Sequence, residues 1–190
     1  MTMPRTLVFK MKKRAVFIDR DGVILVPFIR ERFSVPTSPF KREEFKMFDM
    51  VKPALDILGN LGFLRILVTN QPDIAYGYVT REDWQWMQGH VEALPLDDIF
   101  ICFHTRYDGC DCKKPKPGMI LDAAQKRGID LLQSYMIGDT AADTGAAKEA
   151  GVKSILLTRD YNMGVKSDFV AESLFEAALL IRQLERRETP

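Results

Sequence analysis

The feature that most constrains this chain is a series of short apolar stretches, each closing on a polar residue or a cysteine, with segments of helical spacing between them. Ala15-Val16-Phe17-Ile18 runs into Asp19, Leu64 to Val68 into Thr69, and Tyr135 to Ile137 into Gly138-Asp139, while Ile99 to Cys102 ends on its own cysteine and Val152 to Leu157 adds a fifth stretch. Met50 to Leu61 carries Val51, Leu55, Leu58 and Leu61 on or near one helical face, with Gly62 as a stop. Thr80-Arg81-Glu82-Asp83 resembles a capping box leading into Trp84 and Met87, and Ser173 with Glu176 caps a final amphipathic helix. Pro117 opens a helix that Gly128 closes, and Thr140 to Ala150 is a helix closed by Gly151. Strands alternating with helices predict an α/β fold, a parallel sheet with right-handed crossovers and helices on both faces. In such sheets ligands bind beyond the carboxyl ends of the strands. Asp19, Thr69, Cys102 and Asp139 are therefore expected on one rim.

The 190 residues are expected to form one domain over 1–190, with its motif-bearing core at about 14–160 and a C-terminal helix at about 173–187. A net charge of +1 excludes the global basic field of a nucleic-acid binder. No apolar run reaches the roughly 20 residues that span a bilayer. Met1 to Lys13 is basic but lacks the apolar core and cleavage site of a signal peptide, so a cytoplasmic protein with no membrane partner is expected. Pro27 to Phe48 is too long for an ordinary connection and is either a functional loop or partly disordered.

Asp19 and Asp21 flank one residue at a strand end, just before Gly22. Two carboxylates so close repel unless a cation sits between them, and Mg²⁺ suits hard oxygen ligands. One can then act as a nucleophile while the other exchanges a proton with a leaving group. The blander alternative is a solvated Asp-Gly turn. Asp139 can complete the metal site, and Asp143, one helical turn on, either ligates through water or favours the helix N-terminus. Thr69 offers a hydroxyl, and Lys114, flanked by Lys113 and Lys116 and followed by Pro115 and Pro117, offers a cation for a phosphoryl group.

All three cysteines fall in one window, and Cys102-x-His104-x₅-Cys110-x-Cys112 supplies three thiolates and one imidazole. That set suits a closed, tetrahedral structural Zn²⁺ site over 102–112, leading straight into Lys113 and Lys114. The alternative is a cluster of free cysteines beside a surface His104. His90 has no partner pattern, and Trp84 and Trp86 are expected to serve helix packing.

Phe17-Ile18-Asp19-Arg20-Asp21-Gly22-Val23-Ile24, Val68-Thr69-Asn70-Gln71, Cys112-Lys113-Lys114-Pro115-Lys116-Pro117-Gly118-Met119 and Ile137-Gly138-Asp139-Thr140 follow one another in the order of the four motifs of the haloacid-dehalogenase (HAD) superfamily, which the chain resembles over about residues 14–160. More narrowly it is similar to subfamily IIIA, the branch holding D-glycero-D-manno-heptose 1,7-bisphosphate phosphatases and histidinol-phosphate phosphatases. The resemblance implies a Rossmann-like HAD fold without a separate cap domain, and a phosphatase that forms an aspartyl-phosphate. It implies that Asp19 attacks phosphorus, that Asp21 protonates the leaving alcohol and then activates water, and that Thr69 and Lys114 steady the phosphoryl group. Mg²⁺ is implied at the Asp19 carboxylate, the Asp21 backbone carbonyl and Asp139. Arg20, Asn70, Gln71 and Lys113 are expected to bind substrate, Lys113 standing where the heptose enzymes usually have arginine.

The substrate is expected to be a small phosphorylated metabolite. The stretch Gln71 to Gly77 and Lys116-Pro117-Gly118-Met119 look like the heptose phosphatases, whereas the five residues between His104 and Cys110 look like the histidinol enzymes. Pro72-Asp73 stands where the heptose enzymes usually have Ser-Gly, and Thr140 where they usually have lysine. A capless enzyme would hold substrate with Pro27 to Phe48, Pro72 to Val79 and the zinc loop. A non-catalytic zinc module that binds a phosphorylated ligand is the rival from another class, and a monomer or weak oligomer is expected.

Overall fold

A computed structural model describes residues 12–33 and 35–188; most of the basic stretch from Met1 to Lys13 lies outside them. Six parallel strands form one sheet: β1 (Arg14–Ile18), β2 (Phe63–Asn70), β3 (Asp98–Cys102), β4 (Tyr135–Gly138), β5 (Lys153–Leu157) and β6 (Phe169–Ala171), in the order β3-β2-β1-β4-β5-β6. Five helices accompany them: α1 (Val51–Asn60), α2 (Arg81–Glu92), α3 (Gly118–Arg127), α4 (Ala141–Ala150) and α5 (Leu174–Glu188). Among the described residues no helix is long and apolar enough to cross a membrane.

β1 is central because it is apolar at both parities. Val16 and Ile18 pack into a core with α1 and α5, while Ala15 and Phe17 pack into a second core with α3 and α4. A strand covered on both faces reads as a continuous apolar run, not an alternating one. The chain winds outward from β1 to β3 on one side and from β4 to β6 on the other, so the strand order reverses between β1 and β4. The ligand crevice of a doubly wound sheet opens at such a point. Ile18 pairs with Leu67 on one side and Ile137 on the other, and the Asp19 N–H donates to the Ile137 carbonyl at 3.0 Å. This register brings Asp19 level with the ends of β2 and β4.

The elements predicted from sequence are present, with shifts of one or two residues at their ends. Pro117 and Thr140 are N-caps and not first helical residues, and β2 runs on through Thr69 and Asn70. Thr80 caps α2 through the Asp83 N–H, but the Asp83 side chain turns to Arg42 and leaves the capping box half made. β6 was not anticipated, since three residues carry no periodicity; pairing with β5 and a bond from the Ser154 N–H to Asp168 hold it.

The segment 27–48 forms a layer over the strand ends. Phe28 pairs with Thr37, Leu25 with Met47, and Arg30 forms an ion pair with Glu44. Arg42 joins Asp83 of α2 at 2.7 Å, and Phe40 packs with Val79 and Met87 in a small third core. The described residues of this stretch are held by these pairings.

Candidate active site and metal clusters

Lys114 stands at the centre of the site. It is 4% exposed, and its Nζ lies 2.8 Å from Asp19 Oδ1, 2.6 Å from Asp143 Oδ1 and 2.9 Å from the Val68 carbonyl. Asp143 spends its other oxygen on the N–H and hydroxyl of Thr140, completing the capping box of α4. It is thus a brace for Lys114 and for the helix start. Asp19 Oδ1 also accepts the Arg20 N–H at 2.7 Å, so two donors set the rotation of its carboxylate.

Asp139 completes this group. Its Oδ2 accepts the Tyr161 hydroxyl, its backbone carbonyl accepts Asn162 Nδ2 at 2.8 Å, and its Oδ1 is buried without a hydrogen-bond partner. A Cβ on Gly22 would lie 1.9 Å from Asp139 Oδ2, so only glycine lets the turn after Asp21 close against that carboxylate; its φ of 81° is also one that side chains disfavour. Arg159 holds the same turn by donating to the Gly22 carbonyl at 2.9 Å.

The charges show what this group suits. Burial raises the Asp19 carboxyl to about 8 against the pull of Lys114, with Asp143 and Asp139 adding to the rise. Burial likewise raises Asp139 to about 6, with Asp143 contributing. Burial works against the Lys114 ammonium too, but Asp143 and Asp19 outweigh it and hold it protonated. A neutral Asp19 would not support Lys114 in that way. Lys114 is the firm cation, and burial beside Asp143 and Asp139 raises the proton affinity of Asp19. Three carboxylates face one ammonium, and oxygens of Asp19, Asp139 and Asp143 lie within 4.8 Å of one another. A hard divalent cation fits that surplus and the orphaned Asp139 oxygen. The Asp21 side chain is not in this group.

Asp21 faces elsewhere. Its Oδ2 accepts Gln71 Nε2 at 2.7 Å and Arg20 Nη2 at 3.0 Å, and Gln71 in turn is held by Trp84 Nε1 at 3.2 Å. Two residues expected to bind substrate have their side chains engaged inside the protein. Arg20 is 1% exposed, turned inward onto Asp21 and Gln88, and Gln71 is equally buried against Asp21 and Thr69. Neither lines the cleft. Arg20 is held inward by the Asp21 carboxylate, which accepts both its Nε and Nη2, and by Gln88, while its carbonyl accepts the Ile24 and Leu25 N–H groups in the turn after β1. Asn70 does line the cleft, but both ends of its amide are engaged by the Lys114 backbone at 3.0 Å, so it positions that lysine.

Cys102, His104, Cys110 and Cys112 form the second cluster, their ligand atoms all within 4.8 Å. Cys102 Sγ lies 3.8 Å from Cys110 Sγ and 3.2 Å from Cys112 Sγ, while His104 Nδ1 lies 3.2 Å from Cys112 Sγ. Tetrahedral zinc with Zn–S near 2.3 Å sets its sulfurs about 3.8 Å apart. The Cys102–Cys110 pair matches that and the Cys102–Cys112 pair is closer, and the set of three thiols and one imidazole fits a closed structural ion. Around it, Lys113 Nζ donates to the His104 carbonyl at 3.1 Å and the Gly118 N–H to the Asp111 carbonyl at 3.1 Å. The loop is thereby tied to both ends of the segment bearing Lys114. His90 is exposed, with Nδ1 2.8 Å from the Trp86 carbonyl and its ring against Phe45 and Trp86.

A cleft of about 790 Å³ lies above Asp19, Asp21, Lys114 and Asp139. Its walls come from the three loops expected, represented by Phe33 and Ser38, by Asp73 and Tyr78, and by Arg106 and Lys113. Ser38 donates to Asp73 at 2.5 Å and joins the first two walls. A fourth wall, Tyr161, Asn162 and Val165, had escaped the sequence reading. Its one signal is position: it follows β5, whose end opens on the same rim.

A family model described as HAD-hydrolase-like matches residues 111–177. The D-glycero-beta-D-manno-heptose-1,7-bisphosphate 7-phosphatase of Pasteurella multocida is 33% identical over 91% of this chain and 99% of its own length. That of Haemophilus ducreyi is 36% identical over 78% of this chain and 85% of its own. Among solved structures, a D,D-heptose 1,7-bisphosphate phosphatase from B. bronchiseptica, complexed with magnesium and phosphate, superposes with a TM-score of 0.75 at 25% identity, covering 90% of this chain and 99% of that one. With a third of its residues shared across nearly the whole of such a relative, the chain belongs to the HAD superfamily, in the family of the heptose-bisphosphate phosphatases.

Proposed function

We propose that this chain is a Mg²⁺-dependent phosphatase that hydrolyses the phosphomonoester of a small sugar phosphate, D-glycero-D-manno-heptose 1,7-bisphosphate, through an aspartyl-phosphate on Asp19. The observation that carries the reading is the carboxylate of Asp19 on the cleft floor, 2.8 Å from a buried lysine and beside a second carboxylate, Asp21, that lies outside the cation-binding group.

The steps follow from these positions. An oxygen of Asp19 attacks phosphorus, and the bond from phosphorus to the leaving oxygen breaks. Asp21 delivers its proton to that oxygen, releasing the alcohol and leaving Asp21 ionised. A water then attacks the phosphorus of the aspartyl-phosphate, Asp21 takes its proton, and the P–O bond to Asp19 breaks to free inorganic phosphate. Gln71 and Arg20 hold Asp21 in place for both transfers. Lys114, which lines the cleft floor, faces the phosphoryl oxygens, where a fixed positive charge stabilises the transition state most. The Thr69 hydroxyl, buried and accepting Gln71 Nε2 at 3.0 Å, is kept as a second group steadying them. When bound by Asp19, Asp139 and the Asp21 carbonyl, Mg²⁺ supplies further neutralisation of phosphoryl charge. Lys113 and Arg106 on the cleft wall give the distal part of a bisphosphate its cations.

The test compares wild type with Asp19→Asn in Mg²⁺-dependent phosphate release from p-nitrophenyl phosphate, the heptose bisphosphate and histidinol phosphate. The variant is expected to lose at least about 10³-fold in kcat. Wild type is expected to show its largest kcat/KM on the heptose bisphosphate. Full activity in the variant would end the nucleophile assignment, and a preference for histidinol phosphate would end the substrate assignment.

A further inference from the structure

Tyr161 lines the cleft beside Asp139, yet its hydroxyl is committed to Asp139 Oδ2 and does not point at a substrate position of its own. Oδ2 is enclosed on a second side by the Cα of Gly22, where not even a Cβ could be inserted. The next residue, Asn162, fixes the Asp139 backbone by donating to its carbonyl at 2.8 Å and to that of Leu157 at 2.8 Å. Arg159 secures Gly22 itself. One short segment after β5 thus clamps the carboxylate from the side, the backbone and the opposing turn. What remains is Oδ1, buried and without a partner.

That asymmetry bears on which cation the site accepts. Mg²⁺ takes a single oxygen from each of one or two carboxylates in a near-octahedral shell, whereas Ca²⁺ uses more ligands and readily takes both oxygens of one carboxylate. From these contacts we infer that Tyr161 is a positioning residue for the magnesium site: by occupying Oδ2 it restricts Asp139 to one-oxygen ligation through Oδ1, and so favours Mg²⁺ over Ca²⁺. The inference rests on the proposed reading in which Asp139 holds Mg²⁺. Tyr161 touches neither the reacting phosphorus nor its oxygens in this scheme and acts only through Asp139.

The experiment measures Mg²⁺ and Ca²⁺ affinities by calorimetric titration of zinc-loaded wild type and Tyr161→Phe, with no substrate present. Wild type is expected to prefer Mg²⁺. In Y161F the Mg²⁺ affinity should fall about tenfold, as loss of a group that orients a metal ligand typically costs, while Ca²⁺ affinity holds or rises. The thermal midpoint of the metal-free variant, compared with wild type, checks folding separately. Equal losses for both ions, or no change in either, would overturn the inference while leaving the phosphatase reading intact. A wild type that binds Ca²⁺ as tightly as Mg²⁺ would overturn it without any variant, and one that binds neither would overturn both readings.

Discussion

The two clusters among the described residues are of similar size and opposite construction. The Cys102, His104, Cys110 and Cys112 group is drawn from one loop of eleven positions, whereas Asp19, Lys114, Asp139 and Asp143 come from segments far apart in sequence. The first has four soft donors converging on a point, which closes it to chemistry. The second has more negative charge than its one lysine can balance and keeps a carboxylate oxygen open, which suits a cation that still has room for a ligand. Proximity in sequence makes a site cheap to assemble and rigid, while strand ends from across a sheet let groups of opposing needs be aimed at one reacting atom. Lys114 belongs to both, since the zinc loop carries it and the acidic group receives it.

The sharpest way to break the comparison is therefore Lys114→Met. The substitution keeps the volume but leaves Asp19 and Asp143 facing each other in a buried setting. Losing one partner of a buried pair costs about 3–5 kcal/mol, and losing a transition-state donor costs about 10²–10³ in kcat. Urea denaturation and steady-state kinetics should show both losses. A variant that keeps wild-type kcat would mean that Lys114 is only a structural counter-ion.

A smaller effect is expected from Cys112→Ser, which opens the zinc cluster without touching an acidic residue. Wild type should contain close to one zinc per chain by metal analysis, and the variant much less. With the loop slackened, Lys113 and Lys114 lose their register, and kcat/KM should fall about 10–100-fold, as is typical when the surroundings of a site are disturbed. If zinc is lost and kinetics are unchanged, the two clusters are independent and the loop serves only stability.

The same contrast explains what could be read from the sequence. The Cys102, His104, Cys110 and Cys112 cluster was legible from spacing alone, because a loop of eleven residues cannot scatter its members. The acidic group was legible only after the strands were recognised, since nothing local links Asp19 with Asp139. Arg20 sits between two candidate site residues in sequence, but its guanidinium is drawn inward by Asp21 and Gln88, the second a tertiary pairing with no local signal. Asp143 kept two roles open until the structure showed both its oxygens in use. Tyr161 and Asn162 carried no motif at all. Their importance arises from the return of the chain after β5 over the ends of β1 and β4, a tertiary event with no periodicity. β6 was missed for the same reason, being defined by its neighbour and not by its own three residues.

The smallest effect, and the one that isolates the acidic cluster from the zinc loop, is a pH dependence. In the metal-free acidic site the folded protein holds protons that the unfolded chain gives up, because burial lifts Asp19 to about 8 and Asp139 to about 6 from a starting value of 3.8. A carboxyl raised on folding contributes stability in full below its unfolded value and loses that contribution as pH rises through its folded value. Zinc-loaded, magnesium-free protein should therefore lose stability as pH rises from about 4, most steeply below about pH 6 where both folded carboxyls still hold protons the unfolded chain has released, and level off above about pH 8. Mg²⁺ binds the ionised carboxylates and competes with those protons, so its own stabilising effect must grow over the same interval. At ten times its Kd it contributes about 1.4 kcal/mol, or about 3–6 °C in thermal midpoint for a chain of this length. Thermal melts with and without Mg²⁺ should then converge at pH 5 and separate by that amount at pH 8. Asp139→Asn should lessen the separation, whereas Cys112→Ser should leave its pH dependence in place even if both curves shift down. A separation that is constant with pH would mean that protons and Mg²⁺ do not share Asp19 and Asp139, and the acidic group would no longer be the open counterpart of the closed one.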